Sequence, residues 1–333
     1  MNDMAVAGKV ARARRSNAAG RMCPVDYRYP PAALARKADF VASTLYIVGG
    51  LYGNLAALDA LEHLAASEPA PAAMVFNGDY HWFDAEPDWF AEVERRVADH
   101  RALRGNVETE IARHDDIGAG CGCAYPESVD DGVVQRSNEI LADLKRTAAT
   151  MPAARERLAQ LPMHLVAQVG SLRVGIVHGD AASLAGWAFA PDRLDAPEAR
   201  GWLAEVQRQS RIDVFASTHT CLAALRDLTL ARRRLTVINN GAAGMPNFAG
   251  TRFGLVSRIS TLPSPHPTLY GLVRQDIHID AIALDDDQPT FLARFLARWP
   301  DGSPAHVSYY RRIAEGPDYK VEQARAWPPA GAG

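Results

Sequence analysis

Charge of one sign, cysteine and long apolar runs are what this chain has little of. Its 36 Lys and Arg stand against 39 Asp and Glu over 333 residues, a net charge of −3. A protein that binds nucleic acid through a strong basic field is therefore not expected. No apolar run reaches the roughly 18 residues of a membrane-spanning helix, so no membrane partner is expected either. Four cysteines cannot supply the disulfide framework of a small secreted scaffold, and the expected location is the reducing cytoplasm. The first 22 residues, with Arg12, Arg14 and Arg15, are basic and Ala-rich but carry no apolar block of the kind a secretory signal needs. What remains is ordinary in composition: 48% hydrophobic and 23% charged residues, enough apolar surface for a sizeable core.

The order of predicted elements points to an α/β protein. Thr44-Leu45-Tyr46-Ile47-Val48 is a β-branched, apolar run that meets Gly49-Gly50 and predicts a buried strand. Leu55, Leu58, Leu61 and Leu64 then fall at helical spacing, and Ala73-Met74-Val75-Phe76 predicts a second strand, so the three form a βαβ unit. Further helices are expected over 86–100, 131–160, 196–209 and 289–298. A hairpin is expected over 164–177, with strands near 214–216, 235–238, 254–259 and 269–284. Residues 1–42 are predicted as an extension, 43–285 as one domain, and 286–333 as a helix followed by a polar tail.

Five of these strand-like runs end in a glycine-containing loop with coordinating or hydrogen-bonding residues. The loops are Gly49-Gly50-Leu51-Tyr52-Gly53-Asn54, Gly78-Asp79, Gly105-Asn106, His178-Gly179-Asp180 and Thr218-His219. Strand ends along one edge of an α/β sheet converge, so these loops are expected to face a common crevice.

The same stretches, in the same order, resemble the calcineurin-like metallophosphoesterase superfamily over roughly residues 43–245. Its motifs run D-x-H-G-N, G-D, G-N-H-[DE], H-G and G-H-x-H, followed by an N-x-G strand end. Matching them here are Gly50-Leu51-Tyr52-Gly53-Asn54, Gly78-Asp79, Gly105-Asn106-Val107-Glu108, His178-Gly179, Ala216-Ser217-Thr218-His219 and Asn239-Asn240-Gly241. The resemblance implies two packed mixed β-sheets flanked by helices. It also implies metal ligands at Asp79, which would bridge two ions, and at Asn106, His178 and His219. Four of eight functional positions depart from the pattern: Gly50 and Tyr52 stand where an Asp and a His would bind the first metal, Val107 where a His would assist the leaving group, and Ser217 where another His ligand would sit.

Those losses set the chemistry expected. Two divalent ions about 3.5–4 Å apart repel strongly and need carboxylates to offset them. With Gly50 and Tyr52 in place, the first site retains too few ligands, whereas Asp79, Asn106 and His178 suit one Mn, Fe or Zn ion. His219 either completes that set or donates to a phosphate oxygen. Tyr52 either contacts phosphate, beside Asn54, or fills the space of the absent metal. Replacement ligands are sought at His81 and Asp84, at Glu108, and at the thiols of Cys121, Cys123 and Cys221, although Cys121 and Cys123 also read as small buried hydrophobes. Two functions are consistent with this: a hydrolase of phosphoric esters on a phosphorylated small molecule or protein, with one divalent ion, or a metal-free, non-catalytic descendant that binds ligands or proteins.

Overall fold

The computed structural model describes residues 18–230 and 233–325; the basic stretch holding Arg12, Arg14 and Arg15, and the end of the chain from 326, lie outside them. Two six-stranded sheets pack face to face. One runs in the order β1 (Phe40–Ala42), β5 (His164–Val169), β6 (Leu172–Val177), β7 (Val214–Ser217), β9 (Arg233–Asn240), β8 (Ala223–Leu230). The other runs β11 (Thr268–Arg274), β12 (Ile277–Leu284), β10 (Gly254–Ser260), β2 (Thr44–Val48), β3 (Ala72–Asn77), β4 (Arg101–Leu103). Parallel and antiparallel pairs occur in both, and the architecture is the mixed, helix-flanked sandwich that the resemblance implies.

Period-two alternation builds the layers. In β2, Leu45 and Ile47 enter the core between the sheets with Val174, Ile176 and Ile238, while Tyr46 and Val48 face outward under the helices. Those helices are α1 (Leu55–Ala66) and α2 (Pro87–Val97), whose Leu58, Leu61, Trp89 and Phe90 cover that outer face. On the far side α7 (Ala199–Ser210) lays Leu203 and Val206 against Phe215 and Val237. The short helices α3 (Asn106–Ala112) and α6 (Pro191–Asp195) follow strand-end loops. At the carboxyl edge two amides tie the sheets together: Asn77 Nδ2 donates to Val177 O (2.9 Å) and Asn240 Nδ2 to Gly49 O (2.9 Å). The glycine-containing loops leave from this edge.

Several predicted boundaries are corrected. Residues 18–42 do not stand apart: β1 pairs parallel with β5, and the Tyr27 hydroxyl donates to Glu110 (2.7 Å). The helix predicted over 131–160 is two, α4 (Asp131–Ala149) and α5 (Pro152–Gln160), because Pro152 has no N–H to continue the first and suits the opening turn of the second. The strand predicted over 269–284 is the hairpin β11–β12, turning at Gln275 and Asp276, both with positive φ. Strand β8 was not expected. The polar tail carries two helices beyond α8 (Gln288–Arg298), namely α9 (Pro304–Glu315) and α10 (Val321–Ala324). Among the described residues no helix is long and apolar enough to cross a membrane.

The C-terminal helices are held by aromatic packing. Phe295 is fully buried and meets Phe83 edge to face at 5.0 Å, and Trp299 Nε1 donates to Phe83 O (2.8 Å). Phe295→Ala is expected to cost about 3–5 kcal/mol, read by denaturant unfolding; a loss below about 1 kcal/mol would show that α8 is not part of the cooperative unit.

Candidate metal centre

The loops after β3 and β4 are gathered by one carboxylate. Glu108, fully buried, accepts backbone N–H bonds from Asp79 (2.8 Å), Tyr80 (3.1 Å), His81 (3.4 Å) and Gly105 (2.8 Å). It was expected as a replacement ligand; its oxygens are instead spent on the backbone that carries Asp79 and Asn106. Asp79 itself lies in the left-handed region at φ 52°, a conformation that needs support from its surroundings. Gly105 has no Cβ because none would fit: one built there would lie 2.3 Å from Asp79 Oδ1.

Four acceptor atoms then converge. His178 Nδ1 faces Asn77 O (2.8 Å), so that nitrogen carries the proton and Nε2 presents a lone pair inward. His219 Nε2 faces Cys123 O (3.0 Å), which leaves Nδ1 as its inward lone pair. Asn106 donates its amide N–H to Cys121 O (3.0 Å) and turns Oδ1 to the same point. From His178 Nε2 the distances are 3.1 Å to His219 Nδ1, 3.1 Å to Asn106 Oδ1 and 3.4 Å to Asp79 Oδ2. Lone pairs do not gather at such distances without positive charge between them. A proton on His178 supplies it, or a divalent ion does: ligands bonded at about 2.0–2.1 Å around a tetrahedral ion stand about 3.4 Å apart. Asp79, His178 and His219 each offer an atom within 4.8 Å of the others, and the outward carbonyls fix both imidazole tautomers, as the hydrogen-bond acceptors behind metal-bound histidines do. The donor set therefore fits one divalent ion.

The electrostatics agree with this crowding. Burial disfavours charge on His178, but the adjacent Asp79 outweighs it and holds the imidazole above its ordinary range. Asp79, despite burial, is kept below the usual carboxylate range by His178. Burial, with His178 as neighbour, pushes His219 down to about 3.

Tyr52 lies over Gly50. A Cβ on Gly50 would lie 2.9 Å from three atoms of the Tyr52 ring end, so the phenol covers the glycine. Tyr52 sits at φ 54°, unusual for an aromatic residue, and its hydroxyl is 3.0 Å from Cys221 Sγ. Burial, followed by the adjacent thiol, raises the phenol well above its ordinary value. The ring thus lies over Gly50 and also borders the cavity described below.

Other expected site residues have different employment. Asn54 caps α1 by accepting from Ala57 N (3.0 Å) and donates to Gly244 O (3.1 Å) and Asp286 (2.7 Å), so it has no group left for substrate. Both ring nitrogens of His81 face carboxylates, Asp84 at 2.5 Å and Glu94 at 2.8 Å, and Asp84 also accepts from Trp82 N. Neither is a replacement ligand. The Gly- and Cys-rich loop does fold over the centre, but through carbonyls rather than thiolates: Cys121 O and Cys123 O orient Asn106 and His219. Burial raises the Cys123 and Cys221 thiols above their ordinary values. Cys121 is fully buried in the apolar core.

Above the centre lies a cavity of about 250 Å³ bordered by Asp79, Asn106, His219, Trp187, Tyr309 and Arg312. Trp187 both lines this cavity and donates Nε1 to Cys123 O (3.1 Å). Tyr309 and Arg312 were missed because α9 was read as tail. The signal was present: Ser303 caps α9 and Pro304 opens it.

No family model and no curated relative matches the chain. Among solved structures it is similar to the hypothetical protein PH1004 of Pyrococcus horikoshii OT3, with TM-score 0.54 and 17% identity over 84% of this chain and 100% of that one. A metallophosphoesterase from Sphaerobacter thermophilus aligns with TM-score 0.47 and 15% identity over 82% and 100% of the two chains. Vps29 complexed with zinc, from Entamoeba histolytica, aligns with TM-score 0.33 and 12% identity over 73% and 99%. At these identities the likeness is one of fold, and the residues of the centre carry the chemistry.

The two carboxylates beside His81 make a stability prediction. Burial opposes its charge, yet Asp84 and Glu94 push it up to about 10 from an ordinary 6.5. A folded-state value above the unfolded one means stabilisation that is complete below about pH 6.5 and is lost as pH climbs through about 10. Unfolding free energy is expected to fall across that window, and His81→Gln to flatten the slope; equal slopes in both proteins would refute the assignment.

Proposed function

We propose that the protein is a metal-dependent hydrolase of phosphoric esters built on one divalent ion rather than two. The observation that carries this reading is the convergence of Asp79, Asn106, His178 and His219 lone pairs, with the outer atoms of Asn106 and the two histidines tied to carbonyls and that of Asp79 to a backbone N–H. One carboxylate faces the centre, so a second dication would meet uncompensated repulsion, and Tyr52 fills part of the room it would need. A bound ion would supply Lewis-acid polarisation of the phosphoryl oxygens and a more acidic water.

The chain's own residues do the rest. Asn77 O and Cys123 O hold the two imidazoles in the tautomers that leave a nitrogen free inward. Asp79 Oδ1 accepts from Val107 N (3.2 Å), which fixes one carboxylate oxygen and leaves Oδ2 toward the centre. Apolar Val107 offers no proton to a departing alkoxide. Since general-acid assistance contributes about 10²–10⁴-fold, esters with good leaving groups are favoured over alkyl phosphates.

Purified protein is expected to hold roughly one Mn, Fe or Zn per chain, by elemental analysis, and to turn over 4-nitrophenyl phosphate. Asp79→Ala and His178→Ala should lose the metal and at least about 100-fold in kcat/KM, a difference of about 2.7 kcal/mol. A protein that binds no metal and turns over no ester with any divalent cation would instead be the non-catalytic, ligand-binding descendant.

A further inference from the structure

The helix least anticipated by the sequence brings a cation to the cavity. Arg312, in the last turn of α9, borders it together with Asp79 and His219. Its Nη2 donates to Cys221 O (2.7 Å), while its buried Nε has no hydrogen-bond partner among the described residues. No carboxylate among the described residues pairs with it, whereas Arg258, Arg226 and Arg157 face Glu68, Asp195 and Glu94. A half-buried guanidinium without a counter-ion beside a metal-binding cluster is a free anion donor: its planar fork suits phosphate oxygens. A second donor without a partner, the indole Nε1 of buried Trp82, belongs to another residue of the same wall.

The rest of the lining restricts what accompanies the anion. Trp82, Tyr125, Trp187 and Tyr309 bring aromatic rings to it, with Tyr309 edge-on to Trp82 at 6.4 Å and Tyr125 beside Trp187 at 6.0 Å. A volume of about 250 Å³ is smaller than the roughly 300–1,000 Å³ of drug-sized sites. It suits a phosphate with one compact ring. Charge narrows the class further. A dication and Arg312 against the carboxylates of Asp79 and the buried Glu108 leave a net positive charge that calls for an anion, and a cavity with room for one ring favours a monoester over a diester.

From these features we infer that Arg312 is the substrate-phosphate clamp of this site and that its substrates are small aryl phosphomonoesters. The inference rests on the single-ion reading for its metal, but Arg312 supplies a positive charge of its own, half of what a second divalent ion would bring. Tyr309 and the two tryptophans then select the ring.

Calorimetry with phenylphosphonate and methylphosphonate, which cannot be hydrolysed, tests this on metal-loaded protein. Arg312→Gln is expected to keep the bound metal and the circular dichroism of the parent while weakening phenylphosphonate at least about tenfold, or 1.4 kcal/mol. Arg312→Lys should recover part of that loss through charge alone. Tyr309→Ala should weaken phenylphosphonate and leave methylphosphonate unchanged. In turnover, 4-nitrophenyl phosphate should be preferred to bis(4-nitrophenyl) phosphate. Unchanged phosphonate affinity in metal-replete Arg312→Gln overturns the clamp, and equal effects of Tyr309→Ala on both phosphonates overturn the aryl preference. If the parent protein takes up no metal, the single-ion reading fails alone: phenylphosphonate affinity abolished by Arg312→Gln still upholds the anion site, and no affinity at all sinks both.

Discussion

The four N–H bonds to Glu108 hold together everything the centre requires. Carboxylate oxygens buried beside backbone amides are satisfied only if those amides stay where they are. Glu108 therefore fixes the left-handed turn at Asp79 and the start of α3 at Asn106 relative to each other, although β3 and β4 end in separate loops. His178 reaches this frame through Asn77 O at the end of β3, which also ties the two sheets by its side chain. The converging atoms thus inherit their spacing from these backbone contacts, and the candidate site is preorganised.

Little charge turns inward from that frame. Among the described residues Asp79 is the carboxylate that faces the convergence point, accompanied by neutral Tyr52 and protonated thiols. The positive counterpart comes from a helix far along the chain, in Arg312. Trp187, through Cys123 O, and Tyr309, through the cavity wall, link this arrangement to the Gly- and Cys-rich loop and to α9, so the pocket is assembled from segments outside the motif-bearing core.

How far the sequence could be read follows from how local each signal is. The strand-loop units ending in Asp79, Asn106, His178 and His219 were legible because period-two apolar runs and glycine-containing strand ends are short-range patterns. That these side chains share one point also followed, since a sheet edge brings its loops together. Glu108 and His81 were misjudged because their partners, backbone amides and Glu94, are set by tertiary packing that residue type does not announce. The loop through Cys121 and Cys123 was right in place and wrong in chemistry: sulfur drew attention, whereas the carbonyls do the orienting. Arg312 and Tyr309 stayed hidden because a polar helix after the last strand carries no motif, and only the fold reveals which face meets the centre.

The phenol resting on Gly50 also bears on the substitutions open to this chain. Placing an acidic side chain at position 50 would require a residue with a Cβ to tolerate the backbone at φ 63° and to displace the aromatic ring above it. Shrinking Tyr52 first would open a hole beside Cys221 and leave a left-handed residue unsupported. Each step alone is disfavoured, so a second carboxylate does not reach this wall of the cavity by any single substitution.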